Sequence, residues 1–587
     1  MLALSALLSL RSVAQPPTQW QSPTGQWLPP YQHSGTLPGG EPAGEFWPTS
    51  FQAINLAVIP YRQGVAANDV VVAWDAQWHD PSLVTPAAGW YQRYTVGNPE
   101  VPASFKNRFV RIPRGPATAA EPNGMFLGDL FCSSQCWLPD GRLFIAGGNA
   151  QYATNLLNDM YVPGSPFPSD SFSGSRYVGI WDPVNADVAP NFGWTHIAAG
   201  PLGRPMAVAR WYPTVTVVSD RHVMVAGGQV NTSLKWELGQ DAAYDTYELF
   251  DFVALDWVRS STPPFAQKVF DGPRGQQPPA QRYSYLGSYP RMHFLTNNRT
   301  FLAGMWEWTS SIDTDPNLPT TGGWNNPQSA AWSAPIQSSS QLGTSRIYGC
   351  SVMVPNVSNF PTLRDEVMII GGGSWPNSLH GTSRRILAAT ATSWGATSQP
   401  LNSPRMVANA VLAPTGDIVL IGGSRQYYWA SANPLPELRT EIWSRTTGWV
   451  RDAMQVANRM YHSTAALLPS GNFVSGGSDY LQRTVIGPGG ALADWDIYVP
   501  RYLNQGNARP QFTGSWSGSL PITMNWGATY TIPYSGLPDD AAVARVVLMR
   551  PCSTNHHFDS DQRYVELTMV GDDTNAINLT HEVGDLP

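Results

Sequence analysis

The sequence is poor in charge, in cysteine and in long apolar runs, and each shortage excludes a class of protein. Only 13% of its 587 residues are charged, no basic run occurs, and the net charge is −7. Nucleic acid and an anionic membrane surface are therefore poor partners. After the N-terminus no segment approaches the roughly 18 uninterrupted apolar residues of a spanning helix, so no membrane crossing is expected. The four cysteines, Cys132, Cys136, Cys350 and Cys552, are too few for a disulfide framework, although one bridge is possible.

The N-terminus has the features of an export signal. The apolar stretch "MLALSALLSL" is followed by Arg11, and small residues at Ser12 and Ala14 fit cleavage after Ala14. We therefore predict a signal peptide over 1–14, a secreted protein, and an N-terminal extension over 15–44. The signal lacks a positive n-region, and a truncated gene is the alternative interpretation.

Glycine, proline and aromatic residues are abundant by contrast. The chain has 53 Gly, 52 Pro, 24 Trp and 23 Tyr. Such a composition gives many turns and short elements, which favours a β-rich protein over a helical one. Aromatic residues that recur with glycines are typical of propeller and barrel strands.

A short pattern repeats along the chain: four mostly apolar residues and then a glycine pair. The copies are "LFIAGGN" (143–149), "VMVAGGQ" (223–229), "VMIIGGG" (367–373), "IVLIGGS" (418–424) and "NFVSGGS" (472–478), with degenerate copies "RTFLAGMW" (299–306) and "DVVVAWD" (69–75). Turn sequences such as "LPDGR" and "APTGD" precede most copies. Each unit therefore predicts a strand, a tight turn, a buried strand ending in Gly-Gly, and one or two outer strands.

These units predict an all-β fold. Seven copies indicate a seven-bladed Kelch-type β-propeller over 45–500, in which the glycine pair lets inner strands crowd near the axis. After 494–503 the pattern changes to short strands without Gly-Gly. We predict that 505–587 is an immunoglobulin-like β-sandwich. That it is truncated at "NLTHEVGDLP" is implied only by the family resemblance described below.

A propeller is only a scaffold, so function must be argued from particular side chains. Cys132, Tyr212 and the pair Tyr461-His462 each stand just before a turn and Gly-Gly strand, in "DLFCSSQCWLPDG", "MAVARWYPTVTVVSD" and "RMYHSTAALLPSG". Equivalent positions in different blades surround one end of the axis, so these side chains can converge. A fourth segment, "STNHHFDSDQR", carries His556 and His557. Taken alone, a Tyr-His pair at the start of a strand is more often satisfied by nearby backbone groups.

Taken in this order, the four segments resemble those of the copper-radical oxidases, the family of galactose oxidase and glyoxal oxidase. The likeness covers nearly the whole chain after about residue 45. The stretches "RWYPT", "SPRMVANAVLAPTGDIVLIGG", "RMYHSTAALLPSG" and "ARVVLMRPCSTNHHFDSDQR" are most similar to the glyoxal oxidase branch.

This resemblance implies one copper ion and a cofactor made from the protein itself. Tyr212 would be the equatorial tyrosinate, Tyr461 the axial tyrosine, and His462 and His556 the imidazole ligands. Cys132 would form a thioether to the ring of Tyr212, which would carry a radical. Two imidazoles with tyrosinate oxygen suit Cu(II), whereas a structural zinc site would want more cysteine.

Two assignments keep alternatives. His556 stands six residues before Gln562, as in the family, and its neighbour His557 is the other candidate for that ligand. Cys136 follows Cys132 by four residues and is expected to be structural, in apolar surroundings.

Two departures from galactose oxidase bear on the substrate. The tryptophan that stacks over the cross-linked tyrosine in galactose oxidase is replaced here by Val230 in "GGQVNTS". In "GSYPRMH", Pro290 stands where galactose oxidase has a sugar-gripping arginine, and Arg291 is displaced by one position.

Three hypotheses follow. The first is a secreted copper-radical oxidase of small aldehydes or primary alcohols, which makes H2O2 that a peroxidase partner could use. The second is a sugar-directed alcohol oxidase with the same chemistry, disfavoured by Val230 and Pro290. The third is a copper-free Kelch propeller for adhesion or glycan binding, which would have no need of the five site residues.

Overall fold

The computed structural model of the chain is almost entirely β-sheet. It describes residues 4–5, 25–28, 31–32, 53–60, 64–74, 90–117, 127–152, 172–199, 203–229, 246–258, 267–268, 288–303, 308–313, 336–337, 346–356, 364–374, 378–391, 394–395, 399–426, 435–478, 494–504, 510–513, 523–524, 528–536, 543, 545–573 and 576–580. Within these ranges, no helix has the length and hydropathy needed to cross a bilayer.

The chain begins with three short strands and a four-stranded antiparallel meander. The strands are β1 (Leu4–Ser5), β2 (Gln26–Trp27), β3 (Tyr31–Gln32), β4 (Asn55–Val58), β5 (Val71–Trp74), β6 (Trp90–Asn98) and β7 (Val101–Ile112). Strands β4 to β7 pair with one another in chain order. Every residue of β4 and β5 is buried, as expected for short apolar runs that are covered on both faces.

Five antiparallel sheets of similar plan follow. Their strands are β8 (Asp129–Trp137), β9 (Leu143–Tyr152), β10 (Phe172–Gly174), β11 (Val178–Trp181), β12 (Trp194–His196), β13 (Thr214–Val217), β14 (His222–Ala226), β15 (Thr246–Asp251), β16 (Asp256–Trp257), β17 (Gln267–Lys268), β18 (Met292–Phe294), β19 (Arg299–Leu302), β20 (Trp308–Asp313), β21 (Ile336–Gln337), β22 (Cys350–Met353), β23 (Glu366–Ile370), β24 (Gly373–Ser374), β25 (Ser378–Leu379), β26 (Thr382–Leu387), β27 (Gln399–Pro400), β28 (Asn409–Leu412), β29 (Ile418–Ile421), β30 (Arg439–Ser444) and β31 (Gly448–Met454), with a 3₁₀ turn at Pro183–Asn185. The sheets are β8–β12, β13–β17, β18–β21, the group β22-β23-β26-β27, and β28–β31. They form a propeller-like arrangement, which confirms the predicted all-β propeller, while the count of seven blades stays a prediction.

Another sheet joins the two ends of this region. Strands β32 (Thr464–Leu467), β33 (Phe473–Gly476) and β34 (Asp494–Val499) pair in order, and both β2 and β3 add to β34. The indole of Trp27 donates a hydrogen bond to Thr440 Oγ1 at 2.9 Å. Residues 26–27 and 31–32 of the predicted N-terminal extension, 15–44, therefore add to this sheet, and the bounds of the extension stay a prediction.

The C-terminal region contains one helical turn and eight strands. They are α1 (Arg501–Asn504), β35 (Gln511–Phe512), β36 (Thr523–Met524), β37 (Thr529–Ser535), β38 (Val546–Met549), β39 (Ser553–Asn555), β40 (Phe558–Asp559), β41 (Tyr564–Asp573) and β42 (Ala576–Thr580). Five of the strands form one sheet in the order β35-β37-β42-β41-β38. Strand β36 pairs with β1. The rest of segment 1–14 lies outside the described residues, and the signal peptide stays a prediction.

The hairpin of β39 and β40 leaves the C-terminal region and enters the propeller. Strand β39 pairs with β4, which extends the meander to a six-stranded sheet in the order β40-β39-β4-β5-β6-β7. Side chains of the hairpin also bond to two other sheets: Asn555 Nδ2 donates to Ser133 O at 2.7 Å, and Thr554 Oγ1 donates to Ala465 O at 3.1 Å. The turn of this hairpin is thereby held among the inner strands of the propeller.

The glycine pairs make room for backbone of the next sheet. In the sheet of β28–β31, Gly422 and Gly423 have φ of 68° and 106°, a backbone conformation that is unfavourable for residues with a Cβ atom. The N–H of Gly423 donates to Arg459 O at 2.7 Å, and Arg459 lies just ahead of β32. Glycine is thus required here by a close backbone approach between neighbouring sheets.

Gly422→Ala is expected to lower the stability of the fold by about 2 kcal/mol or more, since strained φ and a steric clash add together. A Cβ at Gly422 would lie 2.4 Å from Arg459 O. Gly448 is a matched control, because it has the same φ of 68° and nothing within 4 Å of a Cβ. Thermal melts should therefore show a larger loss for Gly422→Ala than for Gly448→Ala, and equal losses would contradict this explanation.

Candidate metal centre

Residues with left-handed backbone mark the entrances to six inner strands. A positive φ is uncommon for residues other than glycine and is often found at functional sites. The six residues are Cys132 (62°), Tyr212 (64°), Tyr289 (47°), Tyr348 (53°), Val407 (53°) and His462 (60°). Backbone bonds connect neighbours in this set: Tyr212 N–H donates to Cys132 O at 3.2 Å, and Tyr289 N–H donates to Tyr212 O at 2.7 Å. The positions that we predicted to be equivalent thus share one backbone conformation.

The five residues that the sequence singled out lie together. The ring centroids of Tyr461 and His462 are 4.0 Å apart, and those of His462 and His556 are 4.7 Å apart. The hydroxyls of Tyr212 and Tyr461 form a short hydrogen bond. Cys132 Sγ is 3.9 Å from His556 Nε2. All five side chains are buried.

Burial sets the protonation states of this cluster. It lowers the pKa of His556 well below the usual value, and the nearby His462, His557 and Arg291 lower it further. His556 is therefore a neutral imidazole, the form that binds metals. Burial raises the pKa of Tyr212 well above its usual value, with Cys132 and Tyr461 adding to the effect, so its phenol keeps its proton in the absence of a cation.

The donor set fits a metal ion. One nitrogen or sulfur atom from each of Cys132, His462 and His556 lies within 4.8 Å of the others. Two phenol oxygens, of Tyr212 and Tyr461, meet beside them. The Nδ1 atom of His556 is buried and has no hydrogen-bond partner among the described residues. Such an orphaned ring nitrogen calls for an explanation, and a metal provides one.

His557 is a separate buried imidazole. Both of its ring nitrogens lack a hydrogen-bond partner in the described part of the chain. Its ring centroid is 6.2 Å from that of Tyr461, and it is not part of the group formed by Cys132, His462 and His556. The assignment of His556 over His557 remains a prediction that this geometry favours.

Two aromatic residues that the sequence analysis missed enclose the ring of Tyr212. The Trp211 indole stacks on it with centroids 3.9 Å apart and planes 15° apart. The Tyr289 ring stacks on it at 4.5 Å and 27°, and stacks equally closely on His556. Both residues stand in motifs quoted above, "RWYPT" and "GSYPRMH". The sequence could have indicated them, because Trp211 adjoins Tyr212 and Tyr289 occupies the equivalent position in another sheet. Val230, the other candidate neighbour, lies outside the described residues.

The other positions that the sequence analysis singled out, Pro290, Arg291 and Cys136, are packed inside the protein. Pro290 and Arg291 are both buried, which leaves neither on an open surface. All four cysteines are buried, and no disulfide joins them to one another. Cys136 sits in an apolar cluster with Phe144 and Trp181, as expected for a structural residue.

Polar contacts fix the far end of the His556 hairpin. Asp561 Oδ2 accepts from Trp137 N–H at 2.6 Å, and its carboxyl lies 2.7 Å from Arg550. Gln562 Oε1 accepts from Met353 N–H at 2.8 Å. The motif that follows His556 therefore anchors the hairpin to two sheets.

Asp561 should make stability depend on pH. Burial raises its pKa to about 7, with the negative charge of Asp559 adding to the effect and Arg550 opposing it. Because the folded state binds the Asp561 proton more tightly than the unfolded state does, the contribution of this proton to the free energy of unfolding is complete below pH ~4 and declines as pH rises to about 7. Over that interval the melting temperature of wild type should therefore fall relative to that of Asp561→Asn. A constant difference would mean that Asp561 stays ionised throughout.

Comparisons with known proteins agree with this geometry. Residues 509–583 match the galactose oxidase-like Early set domain. An aldehyde oxidase GLOX of Vitis pseudoreticulata is 25% identical over 76% of this chain and 73% of its own length. A galactose oxidase of Gibberella zeae is 21% identical over 77% of this chain, which spans only 56% of that protein. These likenesses support the predicted resemblance to the copper-radical oxidase family.

The fold is similar to that of a solved structure along almost the whole chain. A fungal alcohol oxidase of the AA5 family, solved in complex with copper, superimposes with a TM-score of 0.63 over 95% of this chain and 93% of its own, at 18% identity. Because the identity is low, this likeness concerns the fold alone.

Proposed function

We propose that the protein is a copper-dependent oxidase whose metal is held by Tyr212, Tyr461, His462 and His556. The observation that carries this proposal is the meeting of two phenol oxygens beside two imidazoles in one buried cluster. Nitrogen and oxygen donors in this mixture suit Cu(II). Neutral His556 is ready to bind, and Tyr212 would lose its proton on binding.

We propose further that Cys132 and Tyr212 form a thioether. In this reaction one S–H and one ring C–H bond are lost, one C–S bond forms, and O2 accepts two electrons and two protons to become H2O2. A bound copper ion supplies one-electron redox chemistry and a Lewis acid for the substrate oxygen. A radical on the cross-linked Tyr212 would be the second redox equivalent that a two-electron oxidation requires.

The chain's own residues would then divide the work. Tyr461 would take the proton of the substrate hydroxyl as general base. The Tyr212 radical would remove the hydrogen atom from the adjacent carbon. The rings of Trp211 and Tyr289, stacked on Tyr212, would exclude water from it and delocalise its unpaired spin. Trp211 would thereby cover the ring of Tyr212, as a tryptophan does in galactose oxidase at the place where this chain has Val230.

The substrates that we propose are small aldehydes, oxidised as hydrates, and primary alcohols. The balanced reactions are RCH(OH)2 + O2 → RCOOH + H2O2 and RCH2OH + O2 → RCHO + H2O2. The aldehyde oxidase among the relatives supports the first class. A sugar such as galactose is disfavoured, because the Arg291 guanidinium is buried and donates to carbonyl groups of the protein.

Three finer parts of the hypothesis belong with this function. The β4–β7 meander and the sheet of β32–β34 would be further blades, which makes seven. The protein would be secreted, and a peroxidase partner could consume its H2O2. The C-terminal region would be an immunoglobulin-like sandwich that carries His556.

Metal analysis and oxygen uptake test the proposal together. Protein dialysed against copper and freed of excess should contain about one copper per chain and consume O2 with a glyoxal-type aldehyde. A peroxidase-coupled assay should give more H2O2 with that aldehyde than with galactose. A chain that binds no copper and consumes no O2 would instead be a glycan-binding or adhesive propeller.

A further inference from the structure

Arg291 is a buried cation beside the candidate centre, and it has no carboxylate partner among the described residues. Arg291 precedes β18, and only 1% of its surface is exposed. Its Nε donates to Gly349 O at 3.2 Å, its Nη1 to Tyr289 O at 3.3 Å, and its Nη2 to His556 O at 3.3 Å. The guanidinium lies 5.4 Å from the ring centroid of Phe558. Its partners among the described residues are therefore three carbonyl oxygens and an aromatic face.

Three other buried arginines near the inner strands are neutralised: Arg210 pairs with Glu248, Arg405 with Glu441, and Arg459 with Asp496. Arg346, like Arg291, donates to carbonyl oxygens instead. A buried charge without a counter-ion is costly, and such a group usually has a compensating role. Arg291 differs from Arg346 because one of its acceptors, His556 O, belongs to the inserted hairpin.

We propose that Arg291 is a positioning residue for His556. Its guanidinium joins three segments: its own sheet, the next sheet at Gly349, and the inserted hairpin at His556. The proposal rests on the proposed function for the metal, whereas the positioning of the hairpin can be tested without it.

Positioning is needed because the hairpin turn is strained. His556 and His557 have φ of 37° and 72°, a region in which such residues cost roughly 1–3 kcal/mol each unless their surroundings hold them. The carbonyl of His556 is held in place by the Arg291 bond. Because that carbonyl and the His556 ring belong to one residue, fixing the carbonyl limits where the ring can point.

The test compares Arg291→Met with Arg346→Met. Arg346 is a matched control: it is buried, it donates to the carbonyls of Gly371 and Thr382, and none of its hydrogen bonds among the described residues reaches a candidate ligand. In metal-free protein, we expect the amides of 553–559 to exchange hydrogen at least about tenfold faster in Arg291→Met, and at the wild-type rate in Arg346→Met. Copper(II) affinity, measured by competition with a chelator, should fall by about 10- to 100-fold in Arg291→Met alone.

Arg291→Lys keeps the cation and loses most of the fork of donors. We therefore expect exchange in the hairpin to stay fast and copper affinity to stay low in this variant. Wild-type exchange and affinity in Arg291→Lys would mean that the charge alone suffices, and would overturn the positioning role of the fork. Wild-type exchange and affinity in Arg291→Met would overturn the whole inference. Wild-type protein that binds no copper would instead overturn the proposed function, and the exchange result would still decide the positioning role.

Discussion

Cys132→Ser is expected to reduce oxidase turnover on the order of a thousandfold or more while leaving copper affinity nearly unchanged. The reason is that serine cannot form the thioether, so the ring of Tyr212 would lose the sulfur substituent that makes its radical accessible. The proposed metal ligands would all remain. Steady-state oxygen uptake gives the first quantity, and chelator competition on the metal-free variant gives the second.

Cys136→Ser is the matched control for this result. Cys136 lies on the same strand as Cys132, is equally buried, and packs in an apolar cluster away from the two tyrosines. We expect Cys136→Ser to lose stability, because burial of a hydroxyl without a partner is costly, and to keep its turnover. Intact-mass measurement should show that wild type and Cys136→Ser, but not Cys132→Ser, lose two hydrogen masses on maturation with copper and O2.

The same pair of variants can contradict the assignment of Cys132. Its sulfur is near His556, and it forms a possible ligand group with both histidines. If Cys132→Ser bound copper as poorly as a variant without a histidine ligand, the thiol would be a ligand. Near wild-type turnover in Cys132→Ser would exclude both roles.

The repeated Gly-Gly pattern made much of the fold predictable. Each copy, such as "IVLIGGS", indicates a buried strand and the residue at which it ends, and both can be read from neighbouring residues alone. Pairings between distant segments were not visible, because period-2 patterning defines a strand's faces and leaves its partner open. The additions of β2 to β34 and of β39 to β4 are of that kind.

The candidate site was predictable where it followed the repeat. Cys132, Tyr212 and His462 occupy equivalent positions, and the structure gives them the same left-handed backbone. The stacking of Trp211 and the burial of Arg291 could not be predicted in this way. Trp211 adjoins Tyr212 and Arg291 lies two residues after Tyr289, and the sequence does not reveal the left-handed backbone of these two tyrosines.

His556→Gln and His557→Gln provide the last and sharpest comparison, because neighbouring residues receive the same change. Both imidazoles are buried, and burial lowers the pKa of each, so neither differs in its readiness to bind a cation. They differ in place: the ring of His556 lies 4.7 Å from those of both His462 and Tyr212, whereas His557 lies farther from Tyr461 than His556 does.

We expect His556→Gln to lower copper(II) affinity on the order of a hundredfold or more, and His557→Gln by less than about threefold, since loss of a ligand exceeds loss of an outer neighbour. Chelator competition on dialysed protein measures both, with melting temperatures to show that each variant is folded. The opposite ranking would transfer the ligand role to His557. Equal, small effects of the two variants would mean that the hairpin supplies no metal ligand. The position of this turn among the inner strands would then need another explanation.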